Sequence, residues 1–163
     1  MKVEISPIAI DNYSDFVIAA HKETFRITFG SEITSEFLEN EFTRMRKDEV
    51  NDRNSVVGAF ANGKIVGLAI HEIRSYSNGT KYGWIHFYYV ASDARRLGVG
   101  SKLVDYSAKY FSSLGLKEFK LRTGENNKVG QTFYLNKGFI HLPEEDSITL
   151  NGVKELMFLY PLR

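Results

Sequence analysis

The apolar positions of this chain change period several times, and each change marks an element. Val3 and Ile5 alternate with charged neighbours and stop at Pro7, which predicts a first strand. Tyr13, Phe16, Val17 and Ala20 then recur at helical spacing, with Asp11 or Asn12 available as a cap. A second helix is expected after Thr34, with Glu36 in its first turn and Phe37, Leu38, Phe42 and Met45 on one face. Glu39, Asn40, Thr43 and Lys47 make its solvated side. Glu41 differs, because helical spacing puts it within the arc of the apolar stripe, at the edge of a cleft.

From Ser55 the period becomes that of strands. Val56 to Phe60, Ile65 to Ile73 and Tyr82 to Val90 form a meander. Three Asn-Gly dipeptides, at 62–63, 78–79 and 151–152, read as tight type I′ hairpin turns. Within the third strand, alternation puts Trp84, His86, Tyr88 and Val90 on one face and Ile85, Phe87 and Tyr89 on the other. A helix from Val99 follows, with Val99, Leu103, Tyr106, Tyr110, Phe111 and Leu114 at helical spacing and Gly115 as its stop. Next come a strand around Phe119 to Leu121, a short helix opened by Asn127, and a strand beginning at Phe139. A last hairpin joins Ile148–Leu150 to Leu156–Leu162. Helices inserted among antiparallel strands imply a mixed sheet in one layered α/β domain spanning residues 1–163.

Composition narrows the function classes. The 163 residues suffice for a core without staples, and there is no cysteine, which removes disulfides, thiolate metal sites and a cysteine nucleophile. A formal net charge of +1 gives no electrostatic reason to expect nucleic acid or a membrane surface as partner. The N-terminus reads as a charged strand start rather than a signal peptide, and no apolar run approaches membrane-spanning length. A cytoplasmic protein is expected, and a homodimer is compatible with this composition.

The chemistry gathers where the third meander strand ends, at Val90-Ala-Ser-Asp-Ala-Arg95-Arg-Leu-Gly98-Val-Gly100-Ser-Lys102. A strand feeding a glycine-bearing turn at a helix start leaves N–H groups unpaired and lets a ligand approach the backbone, which suits phosphate. The spacing is neither that of Walker A nor that of the dinucleotide fingerprint. A second signal follows in Asn127-Lys-Val-Gly-Gln-Thr-Phe-Tyr134-Leu-Asn-Lys-Gly138-Phe139, where Asn127 is a helix cap and Gly138 a stop.

Together the two stretches resemble the GNAT superfamily of acyl-CoA-dependent N-acyltransferases, in which an Arg/Gln-x-x-Gly-x-Gly/Ala turn is paired with an Asn…Tyr…Gly-Phe helix. The resemblance implies a mixed, mostly antiparallel sheet flanked by helices in the order β-α-α-β-β-β-α-β-α-β-β. It assigns backbone groups of Arg96, Leu97, Gly98, Val99, Gly100 and Ser101 to the coenzyme A pyrophosphate, with charge from Arg95, Arg96 and Lys102. Tyr89 and Val90 would offer backbone groups to the pantetheine, and Asn127 would touch the cofactor arm. Gly130 stands where the family often has alanine, a change that costs the helix about 1 kcal/mol. The implied reaction moves an acetyl group from acetyl-CoA to a primary amine by direct transfer, without a metal.

By the same resemblance Tyr134 is the acid that reprotonates the leaving thiolate. The base departs from the family pattern. Many members carry a glutamate four residues before the valine that ends the central strand, and here His86 stands there. A histidine titrating near neutrality can accept the proton directly or through water. Glu72 and His71 are weaker candidates.

For the acceptor, Glu144-Glu145-Asp146 and the helix acids Glu36, Glu39 and Glu41 would favour a cationic amine. The segment Glu23-Thr-Phe-Arg-Ile-Thr-Phe29 also resembles, over a short stretch, bacterial spermidine and spermine acetyltransferases. A polyamine or other small cationic amine is the expected acceptor. The alternatives are an acyl-CoA-binding regulatory module with little turnover and a protein or peptide N-acetyltransferase.

Overall fold

A computed structural model describes residues 2–163. Its elements are β1 (Val3–Pro7), α1 (Ser14–Phe29), α2 (Ser35–Asn51), β2 (Val56–Ala61), β3 (Lys64–Ser75), β4 (Lys81–Val90), α3 (Val99–Ser113), β5 (Glu118–Gly124), α4 (Lys128–Lys137), β6 (Ile140–His141), β7 (Ser147–Ile148) and β8 (Lys154–Pro161). The strands make one sheet in the order β1-β2-β3-β4-β5-β8-β6, with β7 paired to β8. Among the described residues only the β4–β5 pair is parallel. Three strands follow α4, the short β6 and β7 and the longer β8, one more than the family order implies.

Helices cover both faces. On one, Leu103, Val104 and Phe111 of α3 pack with Ala69, Ile85, Phe119 and Leu121, and α4 joins them through Tyr134. On the other, Val17 of α1 and Phe42 and Met45 of α2 pack with Leu68 and Ile70. Removing each such side chain from water contributes roughly 1.5–3 kcal/mol. Thr34 starts α2 as expected, its hydroxyl accepting from the Phe37 N–H at 3.1 Å.

Three local expectations give way. Neither Asp11 nor Asn12 caps α1: both lie in a 3-10 turn ahead of the helix, and Asp11 pairs with Arg46 at 2.9 Å. Of the Asn-Gly pairs only Asn62-Gly63 has both φ angles positive, 52° and 77°, as a type I′ turn requires. At the other two only the glycine is left-handed, and its N–H bonds back to Tyr76 or Thr149, at 2.9 Å in each case. That is a type I turn closed by a glycine, in a loop one residue longer.

The third correction shapes the site. Ile70 pairs with Phe87 and His71 with Ile85, so His86 has no opposite residue and bulges from β4. The bulge inverts the alternation. Ile85, Tyr88 and Val90 face α3, whereas His86, Phe87 and Tyr89 face α1 and α2. His86 therefore does not share a face with Tyr88 and Val90.

Candidate active site

β4 and β5 pair only at Gly83–Phe119, Trp84–Lys120 and Ile85–Leu121, although β4 runs on to Val90 and β5 to Gly124. Where the pairing stops a cavity of about 250 Å³ opens. Ile85 to Tyr88 line one side, Leu121 to Gly124 another, with Asn127 and Tyr134 at the α4 end. Phe25, Phe29, Ile33 and Phe37, from α1, α2 and the turn between them, form an apolar wall.

The bulge delivers His86 to this cavity. Its Nε2–H donates to Glu41 Oε2 at 2.8 Å, and its Nδ1 lies 3.7 Å from Glu72 Oε1. Arg44 Nη2 bonds both Glu72 oxygens, at 2.5 and 3.0 Å. His21 of α1 stacks on Phe87, centroids 4.4 Å apart, and its Nδ1 donates to Val17 O at 2.9 Å. Burial pushes the His21 imidazole below its ordinary value, outweighing Val17 and Glu41, which raise it. Burial would raise the Glu41 carboxyl, but the His86 hydrogen bond and the charges of His86, His21 and Arg44 hold it below the usual carboxylate value.

Tyr134 is 9 % exposed and lines the cavity, and its hydroxyl has no hydrogen-bond partner among the described residues. Burial raises its pKa, so the hydroxyl keeps its proton. Asn127 Oδ1 accepts from the Gly130 N–H at 3.0 Å, and its Nδ2 donates to Thr123 Oγ1 at 3.1 Å. The cap of α4 is thereby tied to β5.

At the end of β4, Gly98 adopts φ 80° and opens α3. The first intrahelical bond is Lys102 N–H to Gly98 O, so the N–H groups of Val99, Gly100 and Ser101 precede it, and no side chain caps them. This helix start suits an anion. Arg96 and Leu97 are exposed on the turn, and Arg96 itself has φ 68°. Arg95 turns back, its Nε donating to Val90 O at 2.9 Å and its Nη2 to Glu23 Oε1 at 2.8 Å, while Glu23 also accepts from the Tyr89 hydroxyl. Val90 O is thus engaged.

The structure brings His86, Tyr134 and Asn127 to one cavity, with Glu41 beside them. The weaker candidates part company. Glu72 is held by Arg44, and His71 lies on the α3 face, where Nε2 meets Ser107 Oγ at 2.7 Å. The acidic loop does not line the cavity: Glu145 binds Lys120 at 2.8 Å and Asp146 binds His141 at 3.0 Å. Glu36 and Glu39 are exposed. Two residues escaped the sequence reading. His21 sits four places after Val17 in the apolar stripe and passes for core. Lys137, at the end of α4, donates to Ser101 Oγ at 2.7 Å and to Asp105 at 2.8 Å, which places a cation over the first turn of α3. Among the described residues no cluster of three metal-ligating side chains occurs, and no helix is long and apolar enough to cross a membrane.

No curated protein sequence matches the chain. Solved structures share its fold. A chain of the NatC complex bound to Gag peptide and CoA is 21 % identical, with 100 % of both chains covered and a TM-score of 0.73. The PaiA N-acetyltransferase of Thermoplasma acidophilum in complex with coenzyme A is 19 % identical over 98 % of this chain and 100 % of that one, TM-score 0.69. Arabidopsis thaliana Naa50 in complex with the bisubstrate analogue CoA-Ac-MVNAL is 16 % identical over 99 % and 100 %, TM-score 0.68. The sequence profile of the acetyltransferase (GNAT) family matches residues 16–139, more than half of the chain, and the protein therefore belongs to that family.

Proposed function

We propose that residues 1–163 act as one catalytic domain that transfers an acetyl group from acetyl-CoA directly to a primary amine. The observation that carries this reading is a free helix start at Val99 to Ser101 together with a cavity, opened by the parting of β4 and β5, that holds both an unpartnered tyrosine hydroxyl and a histidine. The helix start fits a pyrophosphate: its N–H groups are uncapped, and Lys137 adds positive charge beside Ser101. When bound, acetyl-CoA supplies an acetyl group activated as a thioester. The backbone of Arg96 to Ser101 binds the pyrophosphate, and Asn127 flanks the cofactor arm. Arg95 acts less as a direct ligand than as a tie between Glu23 and the end of β4.

An alkyl ammonium has a pKa near 10 and attacks only after losing a proton, so the site needs a proton acceptor. His86 fills that role with Nδ1, because its Nε2–H is committed to Glu41. The nitrogen–carbonyl bond forms, the carbon–sulfur bond breaks, and Tyr134 gives its hydroxyl proton to the departing sulfur. The ammonium proton leaves His86 for solvent, and the second proton that the nitrogen sheds as the amide forms passes through His86 and solvent to Tyr134, which restores both groups.

On the acceptor side Glu155 lines the cavity and favours a small cationic amine, polyamines included. A second reading, a peptide N-terminus, is favoured by the Phe25, Phe29 and Phe37 wall and by the peptide in the NatC structure and the peptidyl analogue in the Naa50 structure. Release of free coenzyme A thiol should be followed with polyamines, aminoglycosides, amino acids and peptides with free N-termini. Turnover with an amine is expected. Acetyl-CoA binding with no thiol release for any acceptor would overturn transfer in favour of a binding module, and activity confined to uncharged or anionic acceptors would overturn the amine.

A further inference from the structure

Three elements converge on a single carboxylate oxygen. Oε2 of Glu41, on α2, lies 2.8 Å from Nε2 of His86 on β4 and 3.9 Å from Nε2 of His21 on α1. The two histidines face it differently. His86 donates its Nε2–H, since a carboxylate can only accept, and its neutral ring then carries the lone pair on Nδ1. At 3.7 Å from Glu72, Nδ1 makes no hydrogen bond there, and Arg44 already holds Glu72. In His21 the Nδ1–H is committed to Val17 O, so the bare nitrogen is Nε2. That atom is buried without a hydrogen-bond partner among the described residues and faces the Glu41 oxygen, acceptor against acceptor. A proton on His21 satisfies both.

We propose that Glu41 is the positioning residue of the acceptor-side base, and that His21 competes with His86 for its Oε2. With His21 neutral, Glu41 fixes the His86 tautomer whose Nδ1 takes the proton of the incoming amine. With His21 protonated, its Nε2–H draws the carboxylate away and His86 loses its anchor. The inference rests on His86 as the proton acceptor. Other charged groups around the cluster are Arg44 and Asp48 on α2, Glu72 and Arg74 on β3, Arg122 on β5 and Glu155 on β8. Arg44 lies 4.0 Å from Glu41 Oε1 and favours its anionic form. Burial opposes a proton on His21, so the competition belongs below the ordinary histidine range.

The test compares pH profiles of kcat for wild type, Glu41→Gln, Glu41→Asp, His21→Asn and His86→Gln. Glu41→Gln should lose roughly 10- to 100-fold in kcat with the acceptor KM within about twofold, and Glu41→Asp should recover part of the loss. His21→Asn keeps an amide able to donate to Val17 O but cannot be charged. Its acid limb should follow a single protonation, whereas the wild-type limb should be steeper. Wild-type kcat and profile in Glu41→Gln, or a His21→Asn profile that superimposes on wild type, would overturn the proposal while leaving His86 as base. Full activity in His86→Gln would overturn the base assignment itself, and with it this inference. Histidine 15N NMR on the unaltered protein needs no variant to fold. At neutral pH it should find the proton of His86 on Nε2 and that of His21 on Nδ1, and the opposite tautomer at either ring would overturn the proposal.

Discussion

A β-carbon on Gly100, in the first turn of α3, would stand 3.1 Å from the ring of Phe133 on α4. The glycine turn and the Asn127…Tyr134 helix, separate in sequence, are therefore in direct contact through the missing side chain. Gly100→Val should push Phe133 aside and destabilise the protein by about 1–3 kcal/mol, in the range of overpacked cores. Because the shift falls at the helix start proposed for pyrophosphate, the acetyl-CoA KM should rise more than kcat falls. Urea unfolding and steady-state kinetics on the same preparation check both.

Removing the Tyr134 hydroxyl separates its chemical role from packing. The ring packs against Phe139 and Phe158, centroids 5.2 and 5.8 Å away, while the hydroxyl bonds to no described residue. Tyr134→Phe should keep stability within about 0.5 kcal/mol of wild type, since no protein hydrogen bond is lost. As the proposed proton donor it should cost roughly 10²- to 10⁴-fold in kcat. Thermal unfolding and the thiol-release assay read the two effects. Unchanged kcat would remove the acid role from Tyr134.

These residues also show which features were legible in the sequence. Element order followed from period and punctuation, and Thr34 and Asn127 announced their caps because capping chemistry is local. Glu41 drew notice as an acid inside an apolar stripe. The bulge at His86 was hidden, because the apolar run Trp84 to Val90 continues through it and only the partner register at Ile70 and His71 reveals the extra residue. His21 was hidden for a related reason, since a histidine at helical spacing from Val17 reads as core. The acidic loop misled because Lys120, the partner of Glu145, lies 25 positions away on β5. Local chemistry is written in the chain, whereas the pairing of distant charges is set by the packed sheet.

Gly130 illustrates such a reversal. The sequence marks it as a weakness of about 1 kcal/mol in α4. In the structure an added β-carbon would meet Asn127 Nδ2 at 2.5 Å and its Cγ at 2.9 Å. Gly130→Ala would then displace the cap and break its bonds to the Gly130 N–H and Thr123 Oγ1. Losing a cap costs about 1 kcal/mol, and a further hydrogen bond about as much again. The gain in helix propensity is small in the first turn. Gly130→Ala should lower stability by about 1–2 kcal/mol rather than raise it, and a higher Tm would refute the close packing of Asn127.

Acid should weaken the fold through His71 in a window set by that residue. His71 is 2 % exposed, with Nδ1 2.7 Å from Asn54 O and Nε2 2.7 Å from Ser107 Oγ. Burial is the main cause that drops its pKa from 6.5 to about 4, against the Asn54 carbonyl and Asp52, which raise it. Above pH 6.5 the ring is neutral in both states and the fold keeps its full stability. As pH falls from 6.5 towards 4 the unfolded chain binds a proton that the folded protein refuses, so stability drops. Below that both states are protonated and the contribution is flat. The lowered pKa corresponds to roughly 3 kcal/mol across the window. His21, also lowered by burial, acts with the same sign. The lowered Glu23 and Glu41 lose their contribution only below the carboxylate value of 4.5. Urea unfolding at pH 7, 6, 5 and 4 should therefore show stability already falling between 6.5 and 4.5. In His71→Phe, which is less stable at pH 7 because Asn54 O and Ser107 lose their partner, that fall should shrink to the part due to His21. An equal slope in the variant would show that His71 takes up its proton as readily in the folded protein as in the unfolded chain.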